Sequence, residues 1–304
     1  MDQASTLRQI HGEDRDSPRQ SRKFPMRMRV IAITSGKGGV GKTNIVINLA
    51  LALSRKGRKI FLLDADMGLA NVDVLLGLTP QYTLEHVMRG EKTIQEIIMT
   101  GPEGFRILPS GSGISELSEM TYEQQMLLFQ ELSKIDDEMD YLLIDTGAGI
   151  SSNVMRFNAS ANEVIIIANA EPTSITDAYA LMKLLAIKYH IRDFGLIANS
   201  VASAKEGKAV YDTLNQVCGE FLQVNLFFLG WVPFDTTLRK CVRHQQPLLT
   251  YAPTSPAAKN ITAIANLIES RPIHSSMDSS ENTAQSQSGK IRSFWDRLLH
   301  WKKL

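Results

Sequence analysis

The chain has 304 residues and a formal net charge of +1, which allows one large α/β domain or two small ones and gives no bulk charge that points to nucleic acid. Hydrophobic residues are 43% and charged residues 21%, the balance of a globular protein with a real core, yet no apolar run reaches the ~18–20 residues of a spanning helix. The two cysteines, Cys218 and Cys241, lack CxxC spacing, which argues against a disulfide framework, a metal site or an iron–sulfur site and suits incidental thiols in a reducing cytosol.

Met1-Asp2-Gln3 starts no basic-then-apolar leader, so a secretory signal is not expected. Residues 1–28 are polar, with Arg8, Arg15, Arg19, Arg22, Lys23 and Arg27 set among Asp2, Glu13, Asp14 and Asp16. Only the first ten suit a short helix; residues 12–20 read as a solvated linker. A folded domain is expected over residues 29–270. Apolar β-rich runs at 29–34, 59–64, 105–109, 141–145, 163–168, 194–199 and 226–232 alternate with amphipathic segments such as 42–55, 122–135, 174–189 and 205–221. Most runs are continuously apolar, as parallel strands covered on both faces must be. The alternation predicts a doubly wound α/β fold with a mostly parallel sheet and helices on both faces.

The first run is followed by Gly36-Lys37-Gly38-Gly39-Val40-Gly41-Lys42-Thr43 and then by a helix through Ile45, Leu49 and Leu53. This is the P-loop pattern in its proper strand–loop–helix setting. Glycines let successive amides turn toward one anion, and the helix start adds its positive dipole end. Lys42 is expected at the terminal phosphates and the Thr43 hydroxyl on Mg²⁺. The second run ends in Asp64-Ala65-Asp66 and a later one in Asp145-Thr146-Gly147-Ala148-Gly149. Ligands of open α/β sheets bind at the carboxyl ends of the strands, so all three carboxylates are expected near the phosphates. Asp64 and Asp145 are the candidate Mg²⁺ acids, Asp145 acting through water, and Asp66 is the candidate for orienting the attacking water.

Lys37 is extra to an ordinary P-loop. Gly-Lys-Gly-Gly-Val-Gly-Lys-Thr resembles the deviant Walker motif of the MinD/ParA ATPases. Asp64-Ala65-Asp66-Met67-Gly68-Leu69-Ala70-Asn71-Val72-Asp73 and Asp145-Thr146-Gly147-Ala148-Gly149 resemble the two switch segments of the MinD branch. The resemblance spans about residues 28–270. It implies Mg²⁺-dependent ATP hydrolysis and a homodimer in which each Lys37 reaches the partner's phosphates. A cation there has little to pair with in a loop already served by Lys42, whereas opposite a second nucleotide it neutralises repelling charge. The resemblance also brings Asn44 into the nucleotide site and places Asn199 and Pro233-Phe234-Asp235 around adenine. No Asn-Lys-x-Asp motif favours guanine.

Residues 271–289 are rich in Ser, Gln, Asn and Thr and read as a flexible tether. Residues 290–304 regain helical periodicity. Ile291, Phe294, Trp295, Leu298 and Leu299 share one face, with Trp301 beyond them, while Arg292, Asp296, Arg297, Lys302 and Lys303 fall mainly on the other. Such a face suits an anionic bilayer surface, so a cytoplasmic protein reversibly attached to the inner face of the cell membrane is expected. A helix packed on its own domain is the alternative.

The segment Asp2-Gln3-Ala4-Ser5-Thr6-Leu7-Arg8 resembles the N-terminal motif of the FlhG branch of the family, also called FleN or YlxH. Asn44 after Thr43 leans the same way. The branch controls flagellar number, and the resemblance implies that Asp2, Gln3, Ala4, Leu7 and Arg8 engage and stimulate an FlhF-type GTPase, with Gln3 as the active residue. Flagellar basal-body or transcriptional-regulator proteins are further partner classes; direct nucleic-acid binding is not expected. A MinD-type division-site regulator, a ParA-type partitioning ATPase and a nucleotide-dependent scaffold are the alternatives.

Overall fold

The computed structural model describes residues 28–66, 72–111, 121–135, 138–271 and 289–299. The strands are β1 (Arg29–Ser35), β2 (Ile60–Ala65), β3 (Met99–Thr100), β4 (Arg106–Leu108), β5 (Tyr141–Ala148), β6 (Glu163–Ala168), β7 (Asp193–Val201) and β8 (Asn225–Pro233). Among the described residues they form one sheet in the order β3-β4-β2-β5-β1-β6-β7-β8. All neighbours are parallel except β3 and β4. The longer helices are α1 (Lys42–Ser54), α2 (Tyr122–Ser133), α3 (Ser152–Ser160), α4 (Pro172–Tyr189), α5 (Ala204–Phe221), α6 (Thr237–Arg243), α7 (Pro256–Ser270) and α8 (Gly289–Leu299).

The expected doubly wound sheet is present, and its apolar runs explain it. Every residue of β1 and β2 is buried. Ile45, Leu49 and Leu53 of α1 and Ile261, Ile264 and Ile268 of α7 join a core with Ile31, Ile33, Leu62 and Leu143. Val30, Leu63 and Ile144 join a second core with Leu128, Leu132 and Phe157. A third holds α4 and α5 against β6 and β7 through Leu181, Leu185, Val210 and Leu214.

Two features differ from the sequence reading. β3 is a two-residue antiparallel edge strand that no apolar run announces. More consequential is α8. The face expected on a membrane is covered by its own domain: Phe294, Trp295, Leu298 and Leu299 are buried in the second core. Phe294 and Trp295 meet edge to face, with ring centroids 4.7 Å apart. The reason is physical. An apolar helical stripe is driven out of water by any apolar surface, and the groove beside Leu128, Leu132 and Phe157 supplies one. The side chain of Ile291, all of Trp301, the tether at 272–288 and the N-terminal segment Asp2–Arg8 lie outside the described residues.

Candidate nucleotide site

β1 lies between β5 and β6, where the strand order reverses. That crevice, outside the carboxyl ends of the strands, is where an open α/β sheet takes a ligand. The chain leaves β1 into the glycine loop there. A Cβ on Gly36 would stand 2.2 Å from the Asp177 carbonyl carbon of α4, so no other residue fits. Gly39 (φ 78°) and Gly41 (φ 85°) have the left-handed backbone that favours glycine, while Gly38 faces open space. Gly41 is the residue before α1, so the helix begins at Lys42 with its amides turned into the crevice. Ser35 Oγ donates to the Lys37 carbonyl at 2.9 Å, and the Val40 carbonyl accepts from Asn199 Nδ2 at 2.7 Å.

Lys42 Nζ lies 2.6 Å from Asp145 Oδ1, and Asp145 is fully buried. Burial pushes the Asp145 carboxyl up, opposed by the Lys42 ammonium and by the neighbouring Thr43 hydroxyl. Asp145 Oδ2 is buried without a hydrogen-bond partner. A buried carboxylate oxygen with nothing to accept from is costly, and it is what a hydrated Mg²⁺ would satisfy. The residues present therefore fit Mg²⁺ with Thr43 and Asp145 as its holders.

Asp64 pairs in register with Asp145 across β2 and β5. The metal role expected of it meets a competing one. Asp64 Oδ1 accepts from the Asp66 amide and Oδ2 from the Val72 amide, both at 3.2 Å, so the carboxylate ties the two ends of the 67–71 segment. Asp66 sits beside the other switch: a Cβ on Gly147 would lie 3.5 Å from Asp66 Oδ1 and 3.3 Å from Val154 Cγ2. Thr146 Oγ1 donates to the Ile33 carbonyl and Gly149 N to the Ser35 carbonyl, which fastens this switch to β1. Lys42, Thr43, Asp66 and Asp145 are thus brought together.

Lys37 stands apart from them. Its ammonium is 2.5 Å from Glu171 Oε2 and 2.9 Å from Thr173 Oγ1, at the start of α4. Nothing in the sequence reading singled out Glu171 and Thr173. The available signal was position: Glu171-Pro172 opens a helix just past the carboxyl end of β6, beside the loop.

The residues expected around adenine are only partly gathered. Asn199 is buried and faces the glycine loop rather than open space; its Oδ1 has no partner. Pro233 ends β8, Phe234 is exposed, and Asp235 Oδ1 caps the amide of Thr237 while Oδ2 is buried without a partner. Asn44 lies in the first turn of α1, its carbonyl accepting from Asn48 Nδ2.

Comparison with known proteins agrees with this geometry. Residues 28–193 match a family model described as an AAA domain. The chain is 44% identical over 246 residues to the antiactivator FleN of Pseudomonas aeruginosa, covering 81% of this chain and 88% of that protein. It is 37% identical to the flagellum site-determining protein YlxH of Helicobacter pylori, covering 80% and 82%. Among solved structures it resembles the septum site-determining protein MinD of Pyrococcus horikoshii complexed with Mg-ADP. The TM-score is 0.64 at 25% identity, over 80% of this chain and 96% of that one.

Proposed function

This chain belongs to the MinD/ParA family of ATP-hydrolysing P-loop enzymes, and on that premise we propose that it is an ATP-driven switch controlling flagellar number or placement. In this reading two ATP-loaded copies pair, and pairing attaches them to the membrane through α8. The glycine loop and Lys42 hold the phosphates. Thr43 and Asp145 hold Mg²⁺, which supplies charge neutralisation at the phosphate oxygens. Asp66 orients the attacking water, and Asn44, Asn199 and the Pro233–Asp235 loop border the base. Lys37 leaves Glu171 and crosses to the partner's phosphates. Release of α8 frees Phe294, Trp295, Leu298 and Leu299 for an anionic membrane surface, with Ile291 and Trp301 beside them. Two helices on one dimer make the second insertion intramolecular, which converts weak binding into attachment.

One observation carries the reading: the loop holds two lysines, and the one that serves its own phosphates is already buried on Asp145. Lys37, 36% exposed and held by the exposed side chains of Glu171 and Thr173, is available to another chain. Size-exclusion chromatography with ATP, and flotation with phosphatidylglycerol vesicles, test it. Wild type and Asp66→Ala should dimerise and float, Asp66→Ala persistently; Lys37→Ala should bind ATP and stay monomeric. An ATP-locked dimer that floats no better than the monomer defeats the membrane step.

The similarity to FleN and YlxH supports a flagellar role, and the Asp2-Gln3-Ala4 to Leu7-Arg8 motif supports an FlhF-type GTPase as partner. A glutamine can orient water at a phosphate, which gives Gln3 a chemistry. A peptide of residues 1–20 should accelerate GTP hydrolysis by FlhF, and Gln3→Ala should abolish that. No acceleration by the peptide or the full chain removes this partner.

A further inference from the structure

Helices α3 and α8 each offer a cation to the other's backbone carbonyls. Arg156 on α3 is buried, and its guanidinium donates to carbonyls in the last described turn of α8: Nε to Leu298 O at 2.5 Å and Nη2 to Leu299 O at 3.3 Å. In return Arg297 on α8 donates to the last carbonyl of α3, with Nε 3.1 Å and Nη2 2.7 Å from Ser160 O. α3 thus receives a cation at its C-terminal end, where carbonyls lack intrahelical partners and the dipole is negative, and α8 receives one at the carbonyls of its last described turn. Among the described residues no carboxylate pairs with Arg156, and burial holds its pKa below the ordinary value. A buried cation whose hydrogen bonds go to a neighbouring helix has strong reason to keep that helix in place.

The other end of α3 touches the nucleotide site. Val154 Cγ2 is 3.3 Å from the place a Cβ on Gly147 would occupy. Farther along the same helix, between Arg156 and Ser160, Asn158 Nδ2 reaches Thr34 Oγ1, in the strand that feeds the glycine loop, at 3.3 Å. One nine-residue helix therefore bears on a switch glycine with its first turns and on α8 with Arg156 and Ser160.

We propose that Arg156 and Arg297 form a reciprocal clasp that holds α8 on the domain, and that α3 opens the clasp when nucleotide moves the Gly147 switch. The clasp deepens the membrane reading above by naming what restrains the helix. Arg156 and Arg297 are positioning residues: they touch neither substrate nor membrane while α8 is docked.

Amide hydrogen exchange of residues 289–299 in the full chain, without vesicles, tests it. Wild type without nucleotide should exchange slowly there. Arg156→Gln and Arg297→Gln should each speed α8 exchange by on the order of tenfold or more, since hydrogen bonds to charged groups carry that weight. Exchange in β1 and β5 should not change. Arg156→Lys, which keeps the charge and loses the fork, should fall between. A non-hydrolysable ATP analogue with Mg²⁺ should bring wild type toward the Gln variants, and Val154→Ala should blunt that response while dimerisation persists. If Arg156→Gln does not fold, Arg297→Gln decides alone. Wild-type protection of α8 in Arg297→Gln, or protection indifferent to the analogue, overturns the proposal. Phosphatidylglycerol vesicles separate the two readings. A released α8 that does not float removes the membrane step and leaves the clasp; ATP-driven flotation with no change from either arginine variant removes the clasp and leaves the membrane step.

Discussion

Lys37 Nζ lies 2.5 Å from Glu171 Oε2, so the lysine that sets this loop apart from an ordinary P-loop is held by the start of α4 in its own chain. The hydrogen bond from Lys37, followed by its charge, holds the Glu171 carboxyl below its ordinary value. A depressed carboxyl contributes only above its unfolded value and loses that contribution as pH falls through the folded one. The pair should therefore survive mild acid and open only below the usual carboxylate range. Lys37→Ala should return Glu171 to an ordinary midpoint. Carbon-detected NMR of the Glu171 side chain reads this, and an unmoved midpoint in the variant refutes it.

Lys42 and Asp145 form the buried counterpart of that pair. Lys42→Ala leaves a fully buried carboxylate without its cation, a change that costs about 3–5 kcal/mol in comparable pairs. The cost should depend on pH. Burial already pushes Asp145 up, and removing the lysine that pulls it down raises it further. A raised carboxyl contributes its stability below the unfolded value, ~3.9, and loses it as pH rises through the folded one. The deficit of Lys42→Ala against wild type in urea should be larger at neutral pH than in acid, and Asp145→Asn in the same chain should relieve most of it. A deficit flat across pH excludes the buried carboxylate as its cause.

The site was legible where the chain itself dictates geometry. Gly36, Gly39 and Gly41 have no substitute once β1 must turn into α1 against α4, and Lys42 and Thr43 follow at fixed spacing. Asp145 was legible because it ends an apolar run. What the sequence hid depended on which groups each polar side chain meets in the fold. Asn199 stands inside β7, which runs on to Val201, and its amide is directed onto the Val40 carbonyl, 159 residues away in sequence. Asp64 looks like any strand-end acid until the amides of Asp66 and Val72 claim its oxygens. The stripe of α8 is written identically for a bilayer and for the groove beside Phe157, because periodicity fixes which residues share a face and not what covers it.

Both thiols are sealed. Burial pushes Cys218 up to about 11, and burial followed by the Asp235 charge raises Cys241. The thiolate is the reactive form, so neither should react with Ellman's reagent at pH 8 until the chain opens. Cys241 lies in α6, just past the loop proposed to border adenine. Mg-ADP should therefore slow labelling of Cys241 in mild urea more than labelling of Cys218, read by mass spectrometry of the labelled peptides. Equal protection of both would place the base elsewhere.

Deleting residues 289–304 tests how firmly α8 belongs to the domain. Burying an apolar side chain contributes roughly 1.5–3 kcal/mol, and ordering a residue costs ~1–2 kcal/mol. Four buried side chains on an eleven-residue helix therefore offset roughly half the cost of ordering it, and the hydrogen bonds of Arg156 and Arg297 to backbone carbonyls supply about the rest. A net contribution that small moves Tm by only a few degrees, at ~2–4 °C per kcal/mol for a domain of this size. The truncated chain should keep ATP turnover, lose flotation with phosphatidylglycerol vesicles, and bind more of the apolar dye ANS, because Leu128, Leu132 and Phe157 lose their cover. A fall in Tm well beyond ~10 °C on that scale would make α8 a fixed part of the core, too costly to release for any switch to use.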